Sequence, residues 1–297
     1  MPRPPSFPPP VARALAPDHA AAAVPLARPW PGLVWAAGDR WVWAAPPGSG
    51  RARAEAGGLA LVGPHLPCPA VVFEHGEWLV TTVPAGHPAT RPERQPRPDE
   101  VPSAIGAALR RLHDLDPSTV LRSGSGAERL PGSSESLVAA ILEALAGGAI
   151  DPAALPDPYR RYGPADLVTI VADGAERSAA AARRAGDAEV VNHGDPVVGN
   201  WFLDGGELAG VTGLHRAGPA DRHLDLAIAY RSITDHFGPE AVFGFVDAYG
   251  TDPDLIRLDH HLLVGLLADQ LHPAHPVADP PPADAPSPEG QAGDPVP

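Results

Sequence analysis

Short runs of apolar residues, separated by polar turns, mark the first third of the chain. These runs are rich in Val, Trp and Thr, which favours β-strands. They lie at Leu33–Ala37, Arg40–Ala45, Ala70–Glu74 and Glu77–Val83. Gly38-Asp39 joins the first pair and His75-Gly76 joins the second, and both dipeptides are typical of tight hairpin turns. Arg53–Val62 is predicted to form one helix between the two hairpins.

A helical period replaces this pattern from residue 102 onward. Ile105, Leu109 and Leu112 fall on one face of a predicted helix, and further helices are expected at about 133–146, 164–184, 221–235, 239–249 and 254–271. Three short strands interrupt them at 190–192, 201–203 and 208–212. The chain is therefore predicted to have an α+β, two-lobed fold, with a small antiparallel β-rich lobe and a larger helical lobe.

The same pattern predicts how the chain is divided. The expected segments are a Pro/Ala-rich start (1–28), the β-rich lobe (29–84), a linker (85–101), the helical lobe (102–271) and a proline-rich tail (272–297). Six prolines in residues 1–10 favour extended backbone there. The tail combines many prolines with no aromatic residue, so we expect it to be disordered.

Composition narrows the possible functions. All 22 basic residues are arginine, which excludes a P-loop lysine and a lysine Schiff base. The net charge of −14 and the lack of a basic patch argue against nucleic-acid binding. The single cysteine, Cys68, cannot form an internal disulfide. No apolar run is long enough to span a membrane and no signal peptide is evident, so a cytoplasmic protein is expected.

One segment, Val190–Leu203, carries the residues that indicate chemistry. It contains Asp195 and, five residues later, Asn200. This D-x-x-x-x-N spacing is that of a kinase catalytic loop, in which the Asp accepts the proton of a substrate hydroxyl and the Asn binds Mg²⁺. Taken alone, Asp195 could also be a turn or helix-cap residue.

Four segments in order resemble the aminoglycoside phosphotransferase family, and most closely its 3′-type enzymes. They are the His193-Gly194-Asp195 loop with Asn200, the strand and hinge at Trp78–Gly86, the helix segment Leu109–His113, and Gly218–Ala227. The resemblance extends over roughly residues 30–271. It implies a protein-kinase-like fold and transfer of a phosphoryl group from ATP or GTP, with Mg²⁺, to a hydroxyl of an amino sugar.

The resemblance also implies roles for individual residues. Asp195 would be the catalytic base and Asn200 a Mg²⁺ ligand, with His193 and Asp225 supporting the loop. Asp221 would be a helix cap or a surface ion-pair partner. The adenine cleft would be lined by Thr81, Thr82, Val83 and Ala85. For the two threonines, an exposed strand face is the alternative.

The cationic substrate would be held by acidic and polar residues of the helical lobe. Asp269 and Gln270 match the family's C-terminal substrate-binding pattern, and Asp157 lies where the family has an acidic stretch. Asp157 is also compatible with a plain loop between two prolines. A monomer and a homodimer both remain open.

Two substitutions separate this chain from the family pattern. Gly213 stands where a second metal-binding Asp is expected, and Ala44 where the nucleotide-binding lysine is expected, which leaves Glu55 without its ion-pair partner. Arg51 or Arg53 could supply the missing cation. The alternative to an active enzyme is therefore a catalytically impaired, pseudokinase-like relative that binds a ligand or partner.

Overall fold

The computed structural model describes residues 6–26, 32–91, 100–118 and 134–271. The predicted tail, 272–297, lies outside the described residues, as do residues 92–99 of the predicted linker. The predicted α+β architecture is confirmed, since an antiparallel sheet precedes a larger helical part.

A five-stranded antiparallel sheet forms the N-terminal lobe, in the order β1-β2-β3-β5-β4. Its strands are β1 (Val24–Leu26), β2 (Leu33–Ala37), β3 (Arg40–Ala44), β4 (Val71–His75) and β5 (Trp78–Thr82). Helix α3 (Arg51–Val62) connects β3 to β4. The two predicted hairpins are present, whereas β1 carries no pattern strong enough to predict it.

Alternation along the strands gives this sheet two different apolar faces. On the inner face, Trp43 and Leu79 join the main core of the protein. On the outer face, Val42 and Val80 belong to a separate cluster, and Ala44 packs against that same cluster. Neighbouring residues of β3 therefore serve opposite sides of the lobe.

The N-terminal segment covers the outer face of the sheet with two short helices, α1 (Pro9–Arg13) and α2 (Pro17–Ala21). Val11 and Leu15 are buried there, and the ring of Phe7 meets that of Trp35 edge-on at 5.5 Å. The expectation of extended backbone was wrong from Pro9 onward. Both helices carry proline in the first turn, where the missing N–H leaves no hydrogen bond broken.

The helical lobe surrounds two small sheets. Its helices are α4 (Val101–His113), α5 (Ser134–Ala146), α6 (Pro164–Ala185), α7 (Arg222–Phe237), α8 (Ala241–Tyr249) and α9 (Leu255–Leu271). Short 3₁₀ turns occur at Pro152–Ala154, Tyr159–Arg161 and Val198–Asn200. The strands are β6 (His87–Pro88), β7 (Val190–Asn192), β8 (Trp201–Asp204), β9 (Glu207–Val211) and β10 (Gly218–Ala220), paired as β6-β8-β9 and β10-β7. The main core runs without a break from α3 to α4 and β8, so the two lobes share one apolar interior.

A buried ionic cluster fixes α7 against α9. Asp221 caps α7 by accepting the His223 N–H at 2.9 Å, and it also receives the Arg257 guanidinium at 2.8 and 3.0 Å. Arg257 is 2% exposed and also pairs with Asp187. Burial alone would raise the pKa of Asp221, but hydrogen bonds from His223 and His261 hold that pKa well below its usual range. Asp221 therefore serves as both cap and ion-pair partner.

Helix α3 approaches the segment after β9 so closely that Gly58 has no room for a side chain. A Cβ at Gly58 would lie 2.0 Å from the carbonyl oxygen of Leu214. At Gly265, in α9, the nearest atom to an added Cβ would be a side-chain carbon of Ile228 at 3.2 Å.

We expect Gly58→Ala to lower the free energy of unfolding by about 1–3 kcal/mol, because the clash outweighs the better helix propensity of alanine. Gly265→Ala is the matched control, since a flexible side chain can yield there. Urea unfolding of the two variants measures both effects. Equal stability of the two variants would contradict the close packing of α3.

Candidate active site

The predicted catalytic loop is anchored through its backbone to Asp225, in α7. The Asp225 carboxylate accepts the N–H groups of His193 and Gly194 at 2.6 and 2.8 Å, and its Oδ2 lies 3.1 Å from Nε2 of His113. Asp225 is fully buried. Two consecutive peptide groups of the loop are thereby fixed immediately before Asp195.

His193 supports the loop as a neutral ring. Its Nδ1 accepts the Asp195 N–H at 3.2 Å, and the ring packs 5.1 Å from that of Trp201. Burial lowers the pKa of His193 to about 4. The ring therefore stays neutral near pH 7 and helps to position the backbone of Asp195.

The Asp195 carboxylate is held by the loop but remains partly open to solvent. Its side chain is 17% exposed, and its Oδ1 lies 3.3 Å from Nη2 of Arg216. Burial raises the pKa of Asp195, while the charge of Arg216 opposes this shift. Arg51, Arg231 and Asp269 also act electrostatically on Asp195. The predicted base thus lies within a cluster of both charge signs.

Of the three predicted substrate residues, Asp269 is the one whose charge acts on Asp195. Its side chain is 50% exposed and pairs with Arg231 at 2.7 Å. Gln270 instead bonds the backbone N–H and C=O of Asp151, which attaches the end of α9 to that loop.

Asp157 is engaged elsewhere. Its two carboxylate oxygens accept two hydrogen bonds from Arg160, at 2.8 and 2.6 Å, and both side chains are well exposed. The structure therefore places Asp157 in a local surface pair, the plainer of the two interpretations offered by the sequence.

A small cavity lies beneath the inner face of the sheet. It is lined by Trp41, Trp43, Glu55, Leu59, Pro69, Leu79, Thr81 and Thr212. Thr81 thus faces the inner side of the sheet. Thr82 does not, since its hydroxyl accepts the Ala70 N–H at 2.9 Å at the β4 side. Val83 and Ala85 are exposed, on the segment that leads from β5 to the helical lobe.

Two aromatic rings meet across the boundary between the lobes. Trp41, from β3, contacts Phe202, from β8, with ring centroids 5.7 Å apart and planes at 62°. Neither residue was predicted to belong to the site. The inward position of Trp41 could have been predicted, because Trp41 and Trp43 alternate along β3 and so share one face of the strand.

Ala44, where the sequence predicts the missing lysine, does not face Glu55. Ala44 points to the outer face, whereas Trp43 shares the cavity with Glu55. The Glu55 carboxylate accepts the backbone N–H of Gly213 at 2.8 Å and lies 3.8 Å from Nδ1 of His215. Burial raises the pKa of Glu55 to about 7, despite the backbone hydrogen bonds that oppose the shift.

The residues around Gly213 do not form a Mg²⁺ site made of protein side chains. Gly213 has φ of 77°, and a Cβ there would lie 2.2 Å from Nδ2 of Asn200. The Asn200 side chain is fully buried and donates from Nδ2 to the Asp195 carbonyl oxygen at 2.7 Å. Within the described parts of the chain, no group of three or more His, Cys, Asp or Glu residues could hold a metal ion. Here Asn200 ties the loop to itself.

Comparison with known proteins settles the family. The model of the phosphotransferase enzyme family matches residues 33–259, which include four of the five strands of the N-terminal sheet, the catalytic loop and most of the helical lobe. The chain belongs to this phosphotransferase family. The resemblance found in the sequence is thereby confirmed, and with it the assignment as an enzyme of the phosphotransferase class.

Individual relatives of this phosphotransferase agree with the assignment. It is 33% identical over 217 residues to the streptomycin 3″-kinase of Streptomyces griseus, a match that covers 68% of this chain and 74% of that protein. A match to an Escherichia coli aminoglycoside 3′-phosphotransferase is 38% identical but covers 25% of this chain and 28% of that protein. The long match is therefore to a 3″ enzyme, although the sequence motifs resemble the 3′ type.

Solved structures show the same fold. An aminoglycoside-3′-phosphotransferase of type VIII superposes with a TM-score of 0.66 at 26% identity, covering 82% of this chain and 93% of that one. An aminoglycoside phosphotransferase from Streptomyces rimosus, in complex with ADP and streptomycin, gives 0.65 at 24% identity, with 84% and 93% covered. Among the residues described here, no helix has the length and apolar character needed to cross a bilayer.

The buried Glu55 predicts a pH dependence of the stability of this phosphotransferase. A carboxyl group whose folded pKa is about 7, against 4.5 for the free group, stabilises the fold fully below pH 4.5. That contribution is lost as pH rises toward 7, by an amount on the order of 3 kcal/mol for a shift of this size.

We expect Glu55→Gln to remove this dependence, so the variant gains thermal stability relative to wild type between pH 5 and pH 8. His193 and His260, whose pKa values burial lowers to about 4, affect both proteins alike and cancel in the difference. Melting temperatures across this pH range give the test. A constant difference between the two proteins would show that Glu55 is ionised throughout.

Proposed function

We propose that this phosphotransferase transfers the γ-phosphoryl group of ATP or GTP to a hydroxyl of a cationic amino sugar, with Asp195 as the catalytic base. The observation that supports this most directly is the Asp195 carboxylate itself. It is partly exposed, on a loop fixed by Asp225, and the carboxylate of Asp269 is close enough to act on it. The names of the relatives, which include a streptomycin kinase, point to the same class of acceptor.

In the proposed reaction, the acceptor hydroxyl oxygen forms a bond to the γ-phosphorus while the bond from phosphorus to the β–γ bridging oxygen breaks. The hydroxyl proton passes to Asp195, and the nucleoside diphosphate leaves. The raised pKa of Asp195 favours its role as proton acceptor, since a more basic carboxylate takes the proton more readily.

The nucleotide base would bind between the lobes. Trp41 offers a ring from the N-terminal lobe and Phe202 a ring from the helical lobe. Such rings stack on a flat base with little preference for which base it is. Thr81 lies on the same side of the sheet, and the exposed backbone of Val83 and Ala85 can read the edge of the base. Because the two rings now touch, binding requires a small separation of the lobes.

The acceptor would bind on the helical side. Asp269 is half exposed and can exchange its bond to Arg231 for an ammonium group of the substrate. The net charge of −14 favours the approach of a polycation. We assign Gln270 to anchoring α9 and leave Asp157 on the surface.

A second candidate function is ligand binding without turnover. It is favoured by the arrangement at Gly213, where no side-chain oxygen is present and the Asn200 amide closes the space. Phosphoryl transfer depends largely on positioning and electrostatics, so the absence of a side-chain oxygen at Gly213 would slow the reaction.

Turnover with Asp195→Asn decides between these functions. We expect wild type to release ADP or GDP in the presence of streptomycin or kanamycin, and the variant to be slower by about 100-fold or more, as expected when a general base is lost. Melting temperature and ADP affinity of the variant serve as controls for folding. Equal rates would remove Asp195 as base, and ADP binding without any wild-type turnover would favour the second candidate.

Asp269→Asn tests the acceptor site. We expect the KM for the cationic acceptor to rise about fivefold, as for loss of one half-exposed ion pair, with the KM for nucleotide unchanged. Asp259→Asn, an exposed residue on the same helix that bonds Tyr159, is the matched control. An unchanged acceptor KM in steady-state kinetics would place the cationic group elsewhere.

A further inference from the structure

Arg51 differs from the other cations near Asp195. Three arginines act electrostatically on this carboxylate, namely Arg216, Arg51 and Arg231. Arg216 pairs with Asp195 at 3.3 Å, and Arg231 pairs with Asp269 at 2.7 Å. No carboxylate in the described ranges forms an ion pair with Arg51.

This lone cation is also buried. Arg51 is 8% exposed, and burial, together with the nearby charge of Arg216, lowers its pKa to about 10, while Asp195 opposes the shift. Burying a charge without a partner is unfavourable, so an arginine kept in such a place indicates an anion that binds there. Arg53, two residues further along, is exposed.

The position of Arg51 follows from how α3 is docked. Glu55, one turn further along the helix, accepts the Gly213 N–H, and Gly58 lies against Leu214. The same face of α3 therefore follows the 213–216 segment, which ends at Arg216 beside Asp195. Arg51 occupies the first turn of this helix, close enough to Asp195 for the two charges to interact.

We propose that Arg51 binds the nucleotide phosphates and supplies positive charge there, which the side chains of Trp43 and Gly213 cannot do. The proposal rests on the function proposed above. The sign of the charge selects the ligand, because a guanidinium repels a cationic amino sugar and attracts a polyphosphate. Its planar fork can bind two phosphate oxygens at once, which a lysine cannot do.

Binding measured without metal isolates this contribution. Calorimetric titrations of ADP and of adenosine, both in EDTA, are compared for wild type, Arg51→Ala, Arg51→Gln and Arg53→Ala. Adenosine keeps the base and sugar but lacks the phosphates. We expect both Arg51 variants to bind ADP about 10- to 100-fold more weakly, as for loss of a charged hydrogen bond, with adenosine affinity unchanged. Arg53→Ala should match wild type in both titrations.

Thermal stability without ligand separates a binding role from a structural one. Since the unpaired buried charge is unfavourable to the fold, Arg51→Gln should melt at or above the wild-type temperature, whereas a structural arginine would melt lower. An Arg51→Gln protein that is folded and binds ADP as tightly as wild type overturns the proposal while leaving the proposed function intact. Wild type that binds neither ADP nor adenosine, with or without Mg²⁺, overturns the proposed function first and this inference with it.

Discussion

The buried carboxylate of Asp225 is the point on which the active site depends. It receives two backbone N–H groups of the catalytic loop and the ring of His113, so one side chain of α7 joins β7 to α4. The other ring nitrogen of His113 lies 2.9 Å from the Tyr249 hydroxyl, which extends the network to α8. Removing one partner would leave several polar groups unsatisfied in the core. The geometry of Asp195 is therefore set by the packing of three helices.

Backbone hydrogen bonds to Glu55 join α3 to the segment that follows β9. In the family pattern a lysine would pair with Glu55, but here the carboxylate binds backbone N–H groups of the 213–215 segment. Trp43 presents apolar surface to the cavity that Glu55 also lines, and burial raises the pKa of Glu55. The helix is held in place by a carboxyl group that is only partly ionised at neutral pH, since its pKa is about 7. Arg51 lies one turn before it on α3.

The catalytic loop and its anchor were easier to predict from the sequence than the residues of the N-terminal lobe that we propose bind the nucleotide. The loop with Asp195 and the anchor Asp225 lie in contiguous motifs with fixed spacing, and strands such as Leu33–Ala37 carry a clear local pattern. The predicted lysine position, Ala44, lies on the outer face, and because strand side chains alternate, its neighbour Trp43 is the one that faces Glu55. Arg51 could not be separated from Arg53 by sequence, since burial depends on how the helix docks.

Gly213 has an evolutionary consequence. Its backbone is left-handed, at φ of 77°, and the Asn200 amide already lies where a side chain would begin. Replacing this glycine by aspartate would therefore not restore a metal ligand in one step, because the strain and the collision must both be relieved first. A lineage that has accepted this glycine can regain the carboxylate only if Asn200 and the surrounding loop change along with it.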